Sequence, residues 1–172
     1  EMADLKLAGC VGMFNVYPLD NTMIQRRSME YAATHDLTVF LNSEDVWLAH
    51  NGCAHEGPVS TKLGLPGIPA AAETAAVARD IALVEQLGVR VHFCRLSTEK
   101  AVRMVARAQY EGLPITADVC AHQLFLDERS IEGYNAYCHV RPPLRSDQDR
   151  QGLRRGVIQN VVSAICSDHQ PH

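Results

Sequence analysis

The chain has 172 residues, of which 47% are hydrophobic, and this predicts one globular domain with a sizeable core. Its 16 basic and 20 acidic residues give a formal net charge of -4, so we expect no nucleic-acid partner. No apolar run is long enough to span a membrane, and residues 1–4 lack the pattern of a signal peptide, so we expect no membrane partner either.

Five short apolar runs, rich in β-branched and aromatic residues, are predicted to be strands. In chain order they comprise residues 10–14, 38–41, 89–94, 115–119 and 161–166. Their nearly continuous apolar character indicates strands that are buried on both faces of a parallel sheet.

Longer amphipathic segments between these runs are predicted to be helices. Thr22 is the expected cap of the first helix, residues 70–87 form an alanine-rich helix, and Asp147 is the expected cap of the last one. The segment 42–69 carries several turn signals, and a loop of that length in a compact domain usually has a function.

Strands that alternate with helices predict an α/β fold with a parallel sheet. Several polar residues follow the ends of predicted strands, where a (β/α) barrel places its chemistry: Asn42, Arg95, His122 and Asp168. An open doubly wound sheet is the alternative, although no GxGxxG motif follows a strand. Because a barrel needs eight strands and five are visible, we predict an incomplete (β/α)8 TIM-type barrel, with residues 1–172 as part of a single barrel domain.

The cysteines show no metal-binding or redox spacing, since none of the six forms a CxxC pair. Four of them lie in apolar runs: Cys10, Cys94, Cys120 and Cys166. We therefore interpret the cysteines as buried, reduced thiols of a cytoplasmic protein.

The strongest chemical signal is the S-D-H-Q-P-H segment at residues 167–172, which follows the last predicted strand. An aspartate directly after a buried strand, with two histidines close behind, suits a metal-assisted hydrolase. Asp168 is the predicted catalytic and metal-binding residue, because a carboxylate can bind a metal and transfer a proton, while a histidine can hold a substrate carboxylate. The alternative is a polar turn without a catalytic role.

Most of the chain, from about Gly9 to His172, resembles the dihydroorotase family of amidohydrolases. Residues 165–172 (ICSDHQPH) are similar to the family's T-D-H-A-P-H motif, and residues 139–145 (HVRPPLR) to its N-P-P-L-R loop. Further similar segments are residues 43–45, 55–57, 64–73, 96–98 and 121–126. The resemblance implies roughly the third to eighth strands of a barrel, and a zinc enzyme that interconverts carbamoyl aspartate and dihydroorotate in pyrimidine biosynthesis.

The resemblance also implies where zinc would bind, and three of the four positions within the chain depart from the family. Asn15 stands in place of an aspartate, while Asn42 and Arg95 stand in place of histidines; Asp168 is the one retained ligand. A neutral amide is a poor zinc ligand, and a guanidinium has no free lone pair. We therefore expect zinc to be absent or weakly held.

The substrate pocket departs from the family as well. Arg141 replaces the asparagine that holds the substrate in the family, so Arg141 and the retained His172 are the predicted substrate-binding residues. Arg95 is expected to pair with Asp168 and to balance its charge without a metal. His92 is expected to point away from Arg95, because side chains alternate along a strand.

Three functions remain open. The first, favoured by the missing ligands, is a dihydroorotase-like protein without catalytic activity; the resemblance implies that it would be a structural partner of aspartate transcarbamoylase and could form a homo-oligomer. The second is an active dihydroorotase, in which an upstream histidine pair and Asp168 would hold zinc. The third is a metal-free protein that binds small anions through Arg95, Arg141 and His172.

Overall fold

The computed structural model describes residues 2–14 and 17–169 as a layer of strands covered by helices. The strands are β1 (Gly12–Phe14), β2 (Thr38–Leu41), β3 (Ala54–His55), β4 (Gly67–Ile68), β5 (Val91–Phe93), β6 (Ile115–Cys120) and β7 (Ala164–Cys166). The helices are α1 (Met2–Leu7), α2 (Thr22–Thr34), α3 (Pro58–Leu63), α4 (Ala70–Leu87), α5 (Glu99–Tyr110) and α6 (Asp147–Ile158).

The five predicted strands form one parallel sheet in the order β1-β2-β5-β6-β7. Side chains alternate across it, so Val91 and Phe93 are buried against helix residues such as Val105 in the main hydrophobic core. We call this helix-covered side the outer face, and the opposite side, which carries His92 and Asp118, the inner face. Parallel strands with helices on one face are the arrangement of a (β/α) barrel segment.

Two helix starts differ from the sequence-based prediction by one residue. The side chain of Asn21 accepts hydrogen bonds from the backbone N–H groups of Met23 and Ile24, so Asn21 caps α2 and Thr22 is the first helical residue. At α6, Ser146 is the cap. An asparagine or serine oxygen one position earlier reaches the free N–H groups of the first turn better than the predicted residues do.

The helices α5 and α6 cross closely because α6 contains two glycines. A Cβ added at Gly152 would lie 2.4 Å from the Cβ of Glu99, and one at Gly156 would lie 2.6 Å from Cγ1 of Val102. Both distances are shorter than carbon atoms tolerate, so the crossing requires residues without a side chain at these positions.

The segment 42–69 was predicted to be a loop. In the structure it contains α3 and the small parallel pair of β3 and β4. Strands of two residues depend on pairing with each other, and no local pattern in the sequence indicates them. The helix α1 was also missed by the sequence analysis. Within the described residues, none of the helices is both long and apolar enough to cross a membrane.

Candidate functional site

The carboxyl ends of β2, β5, β6 and β7 meet at one edge of the sheet, and this edge carries most of the predicted site residues. Asn42 follows β2, Arg95 lies just beyond β5, His122 lies in the 3-10 turn Ala121–Leu124 after β6, and Asp168 follows β7. Parallel strands bring these distant parts of the sequence together, as the barrel prediction required.

Arg95 and Asp168 form the ion pair that the sequence predicted. Nη1 of Arg95 lies 3.2 Å from Oδ1 of Asp168, and the two side chains are only 16% and 15% exposed. Both residues have positive backbone φ angles, 58° and 49°, which residues other than glycine rarely adopt. The backbone therefore turns sharply just after each strand, and these turns bring the two side chains together.

These residues do not fit the zinc site that the family resemblance implies. The guanidinium of Arg95 contacts the retained carboxylate of Asp168, and Asn42 lines the same small cleft as Arg95. A permanently protonated guanidinium cannot donate a lone pair to a metal, although it can neutralise the carboxylate.

Asp118 fixes the backbone of Arg95 from the inner face of the sheet. Its Oδ1 accepts a hydrogen bond of 2.8 Å from the backbone N–H of Arg95, and its Oδ2 lies 2.9 Å from Nε2 of His92. Nδ1 of His92 in turn lies 2.7 Å from Oγ1 of Thr116. Burial opposes ionisation of Asp118, but the hydrogen bonds from His92 and Arg95 outweigh it and hold the pKa of this carboxyl below its usual value.

The prediction that His92 points away from Arg95 rests on strand alternation. It assumed that the alternation of β5 continues to residue 95, but the strand ends at Phe93 and Arg95 has a φ angle of 58°. His92 does lie opposite Val91 and Phe93, on the inner face. Because the backbone turns after Phe93, His92 and Arg95 both contact the carboxylate of Asp118.

Three cysteines lie at or just beyond the ends of neighbouring strands, and two of them, Cys94 and Cys166, are close to this carboxylate. Sγ of Cys166 lies 3.5 Å from Sγ of Cys120, its register partner across β6 and β7. Burial, together with the nearby Asp118, raises the pKa of the Cys94 thiol to about 12. Cys120 is buried, and Cys94 and Cys166 are partly buried, whereas Cys10, which we expected to be buried, is exposed.

Arg141, a predicted substrate-binding residue, forms an ion pair with Glu44. Its Nε and Nη2 atoms donate hydrogen bonds of 3.0 and 2.6 Å to Oε1 of Glu44. The Arg141 side chain is 56% exposed and that of Glu44 only 9%, so the arginine covers a buried carboxylate. The other predicted substrate-binding residue, His172, and the predicted ligand position Asn15 lie outside the described residues.

The sequence analysis did not identify a second charged network, which is centred on the buried Glu73. Its carboxylate accepts hydrogen bonds from the backbone and hydroxyl of Ser97 and from the backbone N–H of Thr98. Arg145 is also buried, and it donates to Oγ of Ser97 at 3.1 Å and to the carbonyl of Ile68 at 2.7 Å. Burial raises the pKa of Glu73, and the charge of Arg145 opposes that rise.

Sequence comparisons match this chain to dihydroorotase-like proteins. The sequence model of the family described as Dihydro-orotase-like matches residues 1–101. A "Dihydroorotase-like protein" of Pseudomonas aeruginosa is 49% identical over 173 aligned residues, which cover 100% of this chain and 41% of that protein. A "Dihydroorotase" of Syntrophobacter fumaroxidans is 40% identical and is covered to 39% of its length. The chain thus spans about two fifths of the length of these relatives.

Solved structures match the fold. A D-hydantoinase superimposes with a TM-score of 0.83 at 19% identity, over 100% of this chain and 40% of the hydantoinase. The L-hydantoinase (dihydropyrimidinase) from Arthrobacter aurescens gives a TM-score of 0.82 at 19% identity, over 98% of this chain and 40% of that structure. These matches confirm the predicted partial TIM-type barrel.

Proposed function

The chain belongs to the dihydroorotase-like family, and from this premise we propose that it is part of a dihydroorotase-like protein that has lost its zinc site and its catalytic activity. The observation that carries the proposal is the ion pair between Arg95 and Asp168. The relatives of this chain support a pyrimidine-related, dihydroorotase-like function. That the protein does not turn over dihydroorotate is our proposal.

The chemistry of cyclic amide hydrolysis explains why this ion pair weighs against activity. A metal bound at such a site would supply Lewis-acid activation of the amide carbonyl and of water. Both effects need an ion with an open coordination position. The guanidinium of Arg95 offers Asp168 positive charge and a hydrogen bond, but no coordination position for water.

The same pair explains how the site could persist without metal. A partly buried carboxylate without a cation destabilises a fold by several kcal/mol. Arg95 supplies that cation to Asp168 at 3.2 Å, and its backbone is held by Asp118. The loss of zinc would therefore leave the charge of the carboxylate balanced.

We further propose that the full-length protein acts in the cytoplasm as a structural partner of aspartate transcarbamoylase. This proposal rests on the family resemblance. Two relatives of this chain, from Pseudomonas aeruginosa and Pseudomonas putida, are named "Dihydroorotase-like protein". They are 49% and 47% identical to it. A protein that has lost its chemistry can keep a role through its surface, because binding and catalysis use different residues.

A dihydroorotase assay on the full-length protein, with Zn²⁺ added, tests the loss of activity. We expect no interconversion of carbamoyl aspartate and dihydroorotate above the background of the Asp168→Asn variant. Turnover that disappears in Asp168→Asn would contradict the proposal, because it would show that Asp168 still holds a working metal site.

Size-exclusion chromatography of the full-length protein mixed with aspartate transcarbamoylase tests the partner role. We expect a joint peak that persists in the Arg95→Met variant, because Arg95 is mostly buried and contacts Asp168 rather than the surface. Separate elution of the two proteins at micromolar concentrations would refute the partnership without bearing on the activity.

An active dihydroorotase is the second candidate, and the retained Asp168 favours it, as do relatives named dihydroorotase. It would require a histidine pair elsewhere in the protein to hold zinc with Asp168. The third candidate, a binding protein for small anions, is disfavoured because Arg95 and Arg141 each already face a carboxylate.

A further inference from the structure

We propose that the inner face of the sheet holds a soft divalent cation of the Zn²⁺ class, bound by His92, Cys94, Asp118 and Cys166. We call these four residues the inner-face cluster. This site uses none of the side chains of the ion pair between Arg95 and Asp168.

The donor atoms of three members already lie close together. One ligand atom each of His92, Cys94 and Asp118 lies within 4.8 Å of the others. With bond lengths of about 2.0 Å to nitrogen and about 2.3 Å to sulfur, the ligand atoms of a tetrahedral zinc site lie roughly 3.3–3.8 Å apart. Side-chain adjustments of about 1 Å would therefore bring these donors into contact with one ion.

Cys166 supplies the fourth donor from the adjoining strand. Its thiol interacts electrostatically with the Asp118 carboxylate, and its sulfur lies 3.5 Å from that of Cys120, so it would have to turn toward the other three donors. Two sulfur atoms, one imidazole nitrogen and one carboxylate oxygen form a ligand set that zinc prefers, whereas Mg²⁺ and Ca²⁺ prefer sites built from oxygen alone. The cluster therefore selects a soft or borderline ion.

Neighbouring groups hold the proposed ligands in orientation. Oγ1 of Thr116 lies 2.7 Å from Nδ1 of His92, which leaves Nε2 directed at Asp118. The backbone N–H of Arg95 donates to Oδ1 of Asp118, so that carboxylate is fixed as well. Hydrogen bonds to the second nitrogen of a histidine and to a carboxylate ligand are the usual outer contacts of protein metal sites.

The cluster is also placed on rigid elements. His92 lies within β5, Asp118 lies within β6, and Cys166 ends β7, so these three stand on paired strands of the parallel sheet, and Cys94 directly follows β5. Sites whose ligands stand on strands keep their geometry better than sites on loops.

Titration of the full-length protein with Co²⁺ tests the site. The protein is first stripped with a chelator and kept reduced, and the Co²⁺–thiolate charge-transfer absorption is then followed. We expect one Co²⁺ per chain with thiolate absorption that added Zn²⁺ abolishes. Cys94→Ser and Asp118→Asn are each expected to weaken Co²⁺ binding by about tenfold or more, the scale of losses from altered metal sites.

Two control variants locate the ion. Cys138→Ser alters a buried cysteine that contacts Asn135 instead of the cluster, and it should leave the absorption unchanged. Asp168→Asn should also bind Co²⁺ normally, since Asp168 belongs to the inherited site. The absence of thiolate absorption in the unaltered protein would overturn the proposal. Co²⁺ affinity that is unchanged in Cys94→Ser, or thiolate absorption that is lost in Asp168→Asn, would do the same.

Discussion

The buried residues Glu73 and Arg145, which both bind Ser97, show how single residues join distant parts of this chain. Glu73 lies on α4 and binds the start of α5 through Ser97, while Arg145 binds the same serine and the carbonyl of Ile68 at β4. Both side chains are removed from water, so both depend on these hydrogen bonds.

Replacement of Arg145 by methionine is expected to destabilise the full-length protein by about 1–3 kcal/mol, because it leaves the buried Ser97 hydroxyl and the carbonyl of Ile68 without this donor. Urea-induced unfolding would measure this change. The control is Arg107→Met, which removes an exposed arginine paired with Glu111 on the surface and should leave the unfolding midpoint unchanged. Equal effects of the two substitutions would show that the Glu73 network does not stabilise the fold.

Residue-level contacts differed in how far the sequence could predict them. The pair of Arg95 and Asp168 was predicted correctly, because both residues follow strands whose carboxyl ends lie at one edge of the sheet. The network that joins Glu73, Ser97 and Arg145 was missed, since a glutamate in the first turn of a helix normally indicates an exposed, dipole-favoured position. The sequence pattern does not reveal that tertiary packing buries this one.

At the scale of the helices, the neighbouring residues Asn21 and Thr22 have different roles at the start of α2. Asn21 accepts hydrogen bonds from two backbone N–H groups of the first turn, whereas Thr22 already belongs to the helix. We expect Asn21→Ala to lower the free energy of unfolding by about 1 kcal/mol, as loss of a cap usually does.

The matched control is Thr22→Ala, which should change stability little or increase it, because alanine has the higher helix propensity. Both variants can be compared by thermal or urea unfolding. A larger loss in Thr22→Ala than in Asn21→Ala would restore the original, sequence-based assignment of the cap.

The elements themselves were predictable to different degrees for a physical reason. The five strands of the main sheet are short runs rich in apolar and β-branched residues, so each one is visible in the sequence before any partner is known. Their ends shifted by a few residues, because strand limits depend on pairing with neighbours. The short strands β3 and β4 exist through that pairing alone, and sequence patterns could not show them.

For the whole molecule, two partly buried histidines predict sensitivity to mild acid. Burial lowers the pKa of His55, aided by the charge of Arg145, and burial also lowers the pKa of His122. As the pH falls below about 6.5, the unfolded chain takes up protons at these histidines before the folded protein does. The stability they contribute is therefore complete above that pH and is lost as the pH falls towards their lowered pKa values.

Urea unfolding at about pH 7.5 and about pH 5.5 would measure this loss. The double variant His55→Gln and His122→Gln should reduce the difference between the two pH values, whereas His50→Gln, at an exposed position, should not. An unfolding midpoint that stays constant between these pH values would contradict the prediction.

The close crossing of α5 and α6 limits how this part of the protein can change during evolution. At Gly152 and Gly156 the neighbouring helix occupies the space of a first side-chain carbon. A larger side chain at either position is compatible with the fold only if Glu99 or Val102 is replaced by a smaller residue or α6 moves outward. These four positions therefore form a coupled unit, and viable lineages would alter them together, while exposed helix positions nearby drift independently.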